Sequence, residues 1–483
     1  MFDYRKKALQ KLSSVGTKYL PFADISTKEV PLSRLLRLSL FQVSVGMALV
    51  LLVGTLNRVM IVELSVPASI VAIMLALPLV FAPFRTLIGY KSDTHVSALG
   101  LRRIPYIWKG TLYQFGGFAV MPFALLVLSG FGESYDTPLW IGHSAAALAF
   151  LLVGAGVHIV QTVGLALATD LVVEEDQPKV VGLMYVMLLL GMVVAALVYG
   201  ALLETYTPGR LVQVIQGTAV VTAGLNLLAV WKQEARDRGR AQQMRVATHA
   251  PFKQALARLM AQPGALRLMI VIGLGTFGYG MADVLLEPYG GQALNLSVAQ
   301  TTKLTALLAL GTLIGFGIAS RVLVTGGSPV KLGRIGAFVG IPGFGLIILA
   351  SMGGGIAAFL IGTFATGLGA GLFGHSTLTA TMRAAPRDQI GLALGTWGAV
   401  QATCAGIGIA LAGVVRDLIV GFSDQTGTLA STPYNVVFVI EILFLLLAMI
   451  LAFQLDPTAR RGAQKNPRAL MSKDSEQTPV EVS

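Results

Sequence analysis

Apolar residues fall in blocks long enough to matter. They run near 36–62, 66–89, 106–131, 140–172, 180–203, 210–231, 266–287, 298–323, 332–352, 355–380, 390–415 and 434–455. About twenty residues of helix cross a bilayer, and the period-two alternation of a membrane barrel is absent. The pattern predicts an all-α polytopic membrane protein with about twelve transmembrane helices. The longest polar break divides six blocks from six. The expected organisation is a basic N-terminal segment over 1–33, with the composition of an interfacial helix, and a six-helix half over 34–232. A connector follows over 233–265, amphipathic around Phe252, Leu256 and Leu259, then a second half over 266–455 and a disordered tail over 456–483.

Composition agrees with the pattern. Of 483 residues, 54% are hydrophobic and 12% charged, against about 25% charged in soluble domains. Mean hydropathy is +0.73. The 55 glycines suit closely packed membrane helices. One cysteine, Cys404, excludes an intrachain disulfide and a multi-cysteine metal site. The net charge of +12 reports orientation and anionic lipid rather than nucleic acid. Lysines and arginines gather in alternate loops, among them Arg34, Arg37, Arg102, Arg103, Lys179, Arg321, Lys331 and Arg383. That places both termini in the cytoplasm. Ala168-Thr169 and Asp176-Gln177 recur as Ala380-Thr381 and Asp388-Gln389 at one common offset. The recurrence fits parallel halves around a midplane site.

Polar residues inside the blocks are the candidate chemistry, because an intramembrane charge is costly unless it faces a bundle interior or a partner. Asp283 and Glu287 lie four apart, on one helix face. They mark function, or they cap a helix that leaves the membrane at Pro288-Tyr289-Gly290-Gly291. Arg58 and Glu63 flank an apolar turn in the first block. Arg58 is placed to pair with Asp283 or Glu287 across the halves, as a gate or substrate contact or as a helix-end ion pair. Glu441 has no evident partner. His158 and His375 sit mid-membrane in equivalent blocks, either as ligands or as packed histidines with one hydrogen bond. Enzyme motifs are missing: there is no phosphate-binding loop and no HExxH, and DLVVEED (170–176) has the wrong spacing for a diphosphate-binding pair.

The loop GYKSDTHVSALGLRRIP carries Gly89, Asp93, Arg102 and Arg103, which loosely resemble the major facilitator signature, with the spacing stretched. The alternative is ordinary positive-inside charge. The segments LLRLSLFQVSVGMALVLLVGTLNRVMIVEL (35–64), RRIPYIWKGTLYQFGGFAVMPFALLVLSG (102–130) and MADVLLEPYGG (281–291) resemble the PucC/LhaA family of purple phototrophic bacteria. These are major facilitator relatives, and the N-terminal stretch is most similar to the LhaA branch.

That resemblance implies two six-helix halves in the bacterial inner, intracytoplasmic photosynthetic membrane. It implies a role in assembling light-harvesting complexes, the core LH1 antenna before LH2, by handling bacteriochlorophyll. Light-harvesting alpha/beta polypeptides are the implied partners, with the reaction centre–LH1 core complex, bacteriochlorophyll synthase and anionic lipids beside them. A carotenoid or lipid is a further candidate ligand. The pigment's Mg²⁺ takes an axial ligand, for which His158, His375, Asn57, Gln114, a backbone carbonyl or water are available; no direct metal site is expected. Two other readings stand beside this one. The first is a cation-coupled transporter of a small amphipathic solute using Asp283, Glu287 and Arg58. The second is a pigment-free scaffold for antenna helices.

Overall fold

Lipid offers no hydrogen-bond partner to a bare backbone, so each apolar block folds as helix. The computed structural model describes residues 31–80, 88, 92, 101–130, 134, 136–173, 176–234, 252–385, 390–423 and 429–455. Its membrane helices are α1 (Leu32–Glu63), α2 (Ala68–Val80), α3 (Ile104–Ser129), α4 (Leu139–Asp170), α5 (Gln177–Leu202) and α6 (Pro208–Val230). A connector helix, Phe252–Met260, precedes the second set. That set is α7, in two pieces (α7a Ala265–Gly280 and α7b Ala282–Leu294), α8 (Val298–Val324), α9 (Pro329–Leu349), α10 (Gly355–Ala384), α11 (Ile390–Ser423) and α12 (Thr432–Phe453). Helix α9 runs into α10 through a turn where Gly353 and Gly355 have φ of 117° and 64°. Only glycine adopts these angles without strain. The all-helical class is present, and among the described residues ten stretches are long and apolar enough to cross a membrane, α9 and α10 forming one of them, with α2 a shorter apolar helix.

Within the halves α3 packs on α4, and α10 on both α8 and α9. Between the halves, α2 packs on α11, α5 on α8, and α1 on α7b and α8. Outward faces keep large apolar side chains exposed, such as Phe123, Val220, Leu228, Phe338 and Leu443. Lipid rather than water is their natural solvent. The end bearing Arg34, Arg102, Arg103 and Arg383 is called the basic end here, and the opposite one the far end.

Some expectations fall outside the described residues: the segment 1–30, Gly89, Asp93, residues 235–251 of the connector, and the tail 456–483. The alternative of a helix end at 288–291 is not what the structure shows. Helix α7b continues through Pro288 to Leu294, and Glu287, Pro288, Tyr289 and Gly290 are all buried. The break lies earlier, at Gly280–Met281.

Candidate functional site

The seam between α1 and α7b is built from a few rule-breaking residues. Proline lacks an N–H, so Pro288 leaves the carbonyl four residues back, that of Val284, without its helical donor. The Asn57 side chain fills the gap, donating through Nδ2 to Val284 O at 2.8 Å. Helix α1 is wound as π-helix over Val50–Leu56 and Val59–Glu63, a rare form that is frequent at functional sites. A Cβ on Gly54 would stand 2.5 Å from Glu287 Oε1, so the bare glycine makes room for that carboxylate. Glu287 Oε1 accepts a bond from the Thr305 hydroxyl; Oε2 has no partner, and the residue is 3% exposed. Thr55 and Thr302 hydroxyls meet at 3.2 Å in the same seam.

Arg58 does not pair with Asp283 or Glu287, which corrects that expectation. Its guanidinium bonds Glu63 on its own helix and donates to Leu296 O at 3.0 Å. The cause is the longer course of α7b. Asn295 turns left-handed at φ 53°, which brings Leu296 back beside α1. The Arg58–Glu63 pair is thus a helix-end ion pair that also clasps the other half. Tyr289, next to Pro288, anchors α7b in the second half. Its hydroxyl donates to Ile347 O at 2.7 Å, and its ring meets Phe359, Tyr434 and Phe438 edge-on.

A second far-end cluster was not legible in the sequence. Arg416 donates to Gln292 Oε1 at 2.7 Å and pairs with Asp417 at 2.8 Å, while the Tyr434 hydroxyl donates to the same Gln292 oxygen. Asp417 Oδ2 then accepts the Ser69 backbone N–H across the halves at 2.7 Å. Lys303 reaches Glu204 at 2.8 Å, also across the halves. The Lys303 ammonium holds the Glu204 carboxyl below the usual carboxylate range.

Asp283 and Glu287 share a helix but not an environment. Asp283 is exposed in the first turn of α7b. Beside it lies Glu441 of α12, 0% exposed, with neither carboxylate oxygen hydrogen-bonded. Glu441 approaches the Ala282 backbone N–H and faces Asp283. The helix break frees that N–H and turns the positive end of the α7b dipole toward both acids. Sequence alone had left Glu441 without a partner.

His158 on α4 and His375 on α10 are both partly exposed. The His375 ring packs on Phe316 with centroids 4.1 Å apart, and its Nδ1 has no partner. Gly374 beside it, and Gly395 and Gly398 on α11, face open space, with nothing within 4 Å of an added Cβ. Among the described residues no hydrogen bond or ring contact joins the two histidines.

At the basic end, Arg102 and Arg103 are more than orienting charge, since they are 8% and 5% exposed. Both pair with Asp170 of α4, at 3.3 and 3.1 Å, and Arg103 donates to Ser92 Oγ at 2.7 Å. Glu234, just past α6, accepts the backbone N–H groups of Arg102, Arg103 and Ile104 at 2.8–3.1 Å. A carboxylate at a helix N-terminus satisfies orphan donors and the dipole together. The cluster bolts α3, α4 and α6, all in the first half. The Arg102–Arg103 pair was visible in the sequence, whereas Glu234 was not, because it lies about 130 residues away.

Comparisons with known proteins match this architecture. A relative named Protein PucC from Rhodobacter capsulatus is 68% identical over 95% of this chain and 100% of its own. Protein PucC from Rhodovulum sulfidophilum is 62% identical over 86% of this chain and 91% of its own. The "Bacteriochlorophyll synthase 44.5 kDa chain" of Rhodobacter capsulatus is 27% identical over 90% of this chain and 98% of its own. The crystal structure of a bacterial homologue of the human lysosomal transporter Spinster, inward-facing and occupied, superposes with a TM-score of 0.65 at 15% identity, covering 90% of this chain and 98% of that one. That likeness shows a major facilitator-type fold. The expected tie to the LhaA branch gains no support from these identities. The model of the family described as PUCC protein matches residues 55–459, and the chain belongs to that family.

Proposed function

We propose that this protein assists assembly of light-harvesting complexes by taking up bacteriochlorophyll within the bilayer and presenting it to single-span alpha/beta antenna polypeptides. The observation that carries the reading is the face around His375. An imidazole whose Nδ1 has no partner lies on the Phe316 ring, with the neighbouring Gly374 opening onto unfilled space. A flat macrocycle needs a smooth wall and one axial ligand for its Mg²⁺, and this face offers both. His158 is the second candidate ligand. Family membership and the bacteriochlorophyll name of one relative support the choice of pigment.

The basic end is read as cytoplasmic, in a bacterial inner membrane, where its charge attracts anionic lipid and the polar tails of nascent partners. The test is purification of the protein from pigment-producing cells. Co-purifying bacteriochlorophyll that falls in His375→Ala, with unchanged melting, supports the proposal. Antenna subunits held without pigment would replace it with a scaffold. A second reading, cation-coupled transport, is favoured by the unpartnered Glu441 facing Asp283 at a broken helix. Proton-driven solute uptake in vesicles that is lost in Asp283→Asn would establish it.

A further inference from the structure

A groove on the outer flank of the first half belongs neither to the seam nor to the His375 face. It lies between the basic-end turns of α3 and α6 and holds about 280 Å³. Ile104, Ile107 and Trp108 form one wall, and Leu227 and Val230 the other. The polar residues behind them are spent on each other. Asn226 Nδ2 donates to Thr111 Oγ1 at 3.0 Å, and the Thr111 hydroxyl donates to Ile107 O at 2.8 Å. Both residues are buried, so the surface offered to an occupant is apolar. Trp108 and Leu227 are 45% and 46% exposed, and the mouth opens sideways into lipid. Pockets that enclose a drug-sized ligand run from about 300 to 1,000 Å³. This groove is smaller and open on one side, which suits a slender flexible chain rather than a ring system.

The groove ends where the chain becomes charged. Lys232 stands two residues past Val230, and Glu234, two further on, accepts the Ile104 backbone N–H at 3.1 Å. The lysine is thus bracketed by two points fixed at the basic-end mouth. It is exposed, and it makes no hydrogen bond or ion pair among the described residues. Its backbone is left-handed, with φ 52°, just past a helix C-terminus where glycine is the usual residue. A lysine strains that turn, and what it supplies in return is an ammonium. Lys109, beside Trp108, adds a second exposed ammonium, 5.6 Å from the Tyr106 ring centre. The described carboxylates at the mouth are already engaged. Asp170 is held by Arg102 and Arg103, and Glu234 by three backbone N–H groups. The charge left free is positive.

An apolar slot with cations at one end, flanked by exposed tryptophans of the kind that mark a membrane interface, has the polarity of a lipid. A neutral lipid fills the slot and leaves the cations unanswered, whereas an anionic one answers both. We propose that the α3–α6 groove holds one acyl chain of an anionic phospholipid, with its phosphate group at the Lys232 ammonium. The proposal does not depend on pigment handling, and it localises the attraction of the basic end for anionic lipid.

The test uses the full chain in phosphatidylcholine nanodiscs carrying a minor share of phosphatidylglycerol, with bromine on the acyl chains of one lipid or the other. Bromine quenches a tryptophan that it touches, and subtracting the Trp108→Phe signal isolates Trp108. Mole for mole, brominated phosphatidylglycerol is expected to quench Trp108 about fivefold more than brominated phosphatidylcholine, the ratio that one lysine gives near an anionic headgroup. Lys232→Gly should bring that ratio close to one. Its melting in phosphatidylcholine alone should be unchanged or higher, because glycine relieves the left-handed turn. Lys232→Arg should keep the ratio. Leu227→Phe combined with Val230→Phe fills the slot from the α6 side and should abolish the preference. Equal quenching by both lipids in the wild-type chain overturns the proposal, as does a preference that survives Lys232→Gly or the filled slot. Lower melting of Lys232→Gly in phosphatidylcholine alone would make the lysine a helix-end support and overturn its assignment to a headgroup. If the filled variant fails to fold, Lys232→Gly decides alone.

Discussion

The two ends of the bundle hold together in opposite ways. At the far end and in the seam below it, polar contacts cross between the halves: Asn57 to Val284, Thr55 to Thr302, Arg58 to Leu296, Ser69 to Asp417 and Lys303 to Glu204. At the basic end, the bonds between described residues stay inside one half. Arg102 and Arg103 hold Asp170, Arg34 holds Gln233, and Arg383 holds the Gly327 and Leu323 carbonyls. Among the described residues, the far end is where polar contacts tie the halves to each other, and the basic end is where each half is tied to itself.

The contrast can be broken from either side. The largest effect is expected from Arg103→Ala. The guanidinium is nearly buried and serves Asp170 and Ser92, so its loss leaves Asp170 with Arg102 alone and strands the buried Ser92 hydroxyl at a helix junction. A loss of about 3 kcal/mol is expected, read as a lower melting temperature in detergent, with the far-end geometry unchanged because no bond there is touched. Next comes Asn57→Ala, which orphans the Val284 carbonyl that Pro288 cannot serve. The expected loss is about 2 kcal/mol, and it should appear as a looser seam as well as a lower melting temperature. Pro288→Ala in the same background restores a helical donor to Val284 and should recover part of it. Thr305→Val removes the donor to Glu287 and is expected to cost about 1 kcal/mol.

The smallest effect is the pH response of the Lys303–Glu204 bridge. Its carboxyl titrates below the ordinary glutamate value of 4.5. The bridge is therefore fully formed above that value and is lost as pH falls through the depressed one. Melting curves of Glu204→Gln and wild type should converge only in that acid range. Convergence near neutral pH would show that the bridge adds nothing.

How much of this was legible in the sequence follows from how local each cause is. The spans were readable because the apolar block length is a property of contiguous residues. Arg58, Asp283 and Glu287 stood out because charge in a greasy block is rare. Their partners were not readable. Arg58 was expected to meet an acid of α7b and meets the Leu296 carbonyl instead, since the path of α7b past Pro288 depends on burial in the second half through Tyr289. Pro288 looked like the end of a helix because proline usually is one. Here the lost bond is replaced by Asn57, more than two hundred residues away. Glu234 is ordinary in sequence and becomes significant only against the orphan N–H groups of α3, whereas Glu441 stood out as a charge in an apolar block and only its neighbours on α7b were not readable.

The most direct test of the contrast is a pair of spin-label distances, measured with Cys404 replaced by serine. One pair joins Thr205 and Met352 at the far end, and the other joins Val173 and Val324 at the basic end, all exposed positions. The account predicts a single narrow distance at the far end and a broad or shifting one at the basic end in the same nanodiscs. A narrow basic-end distance beside a variable far-end one would contradict it.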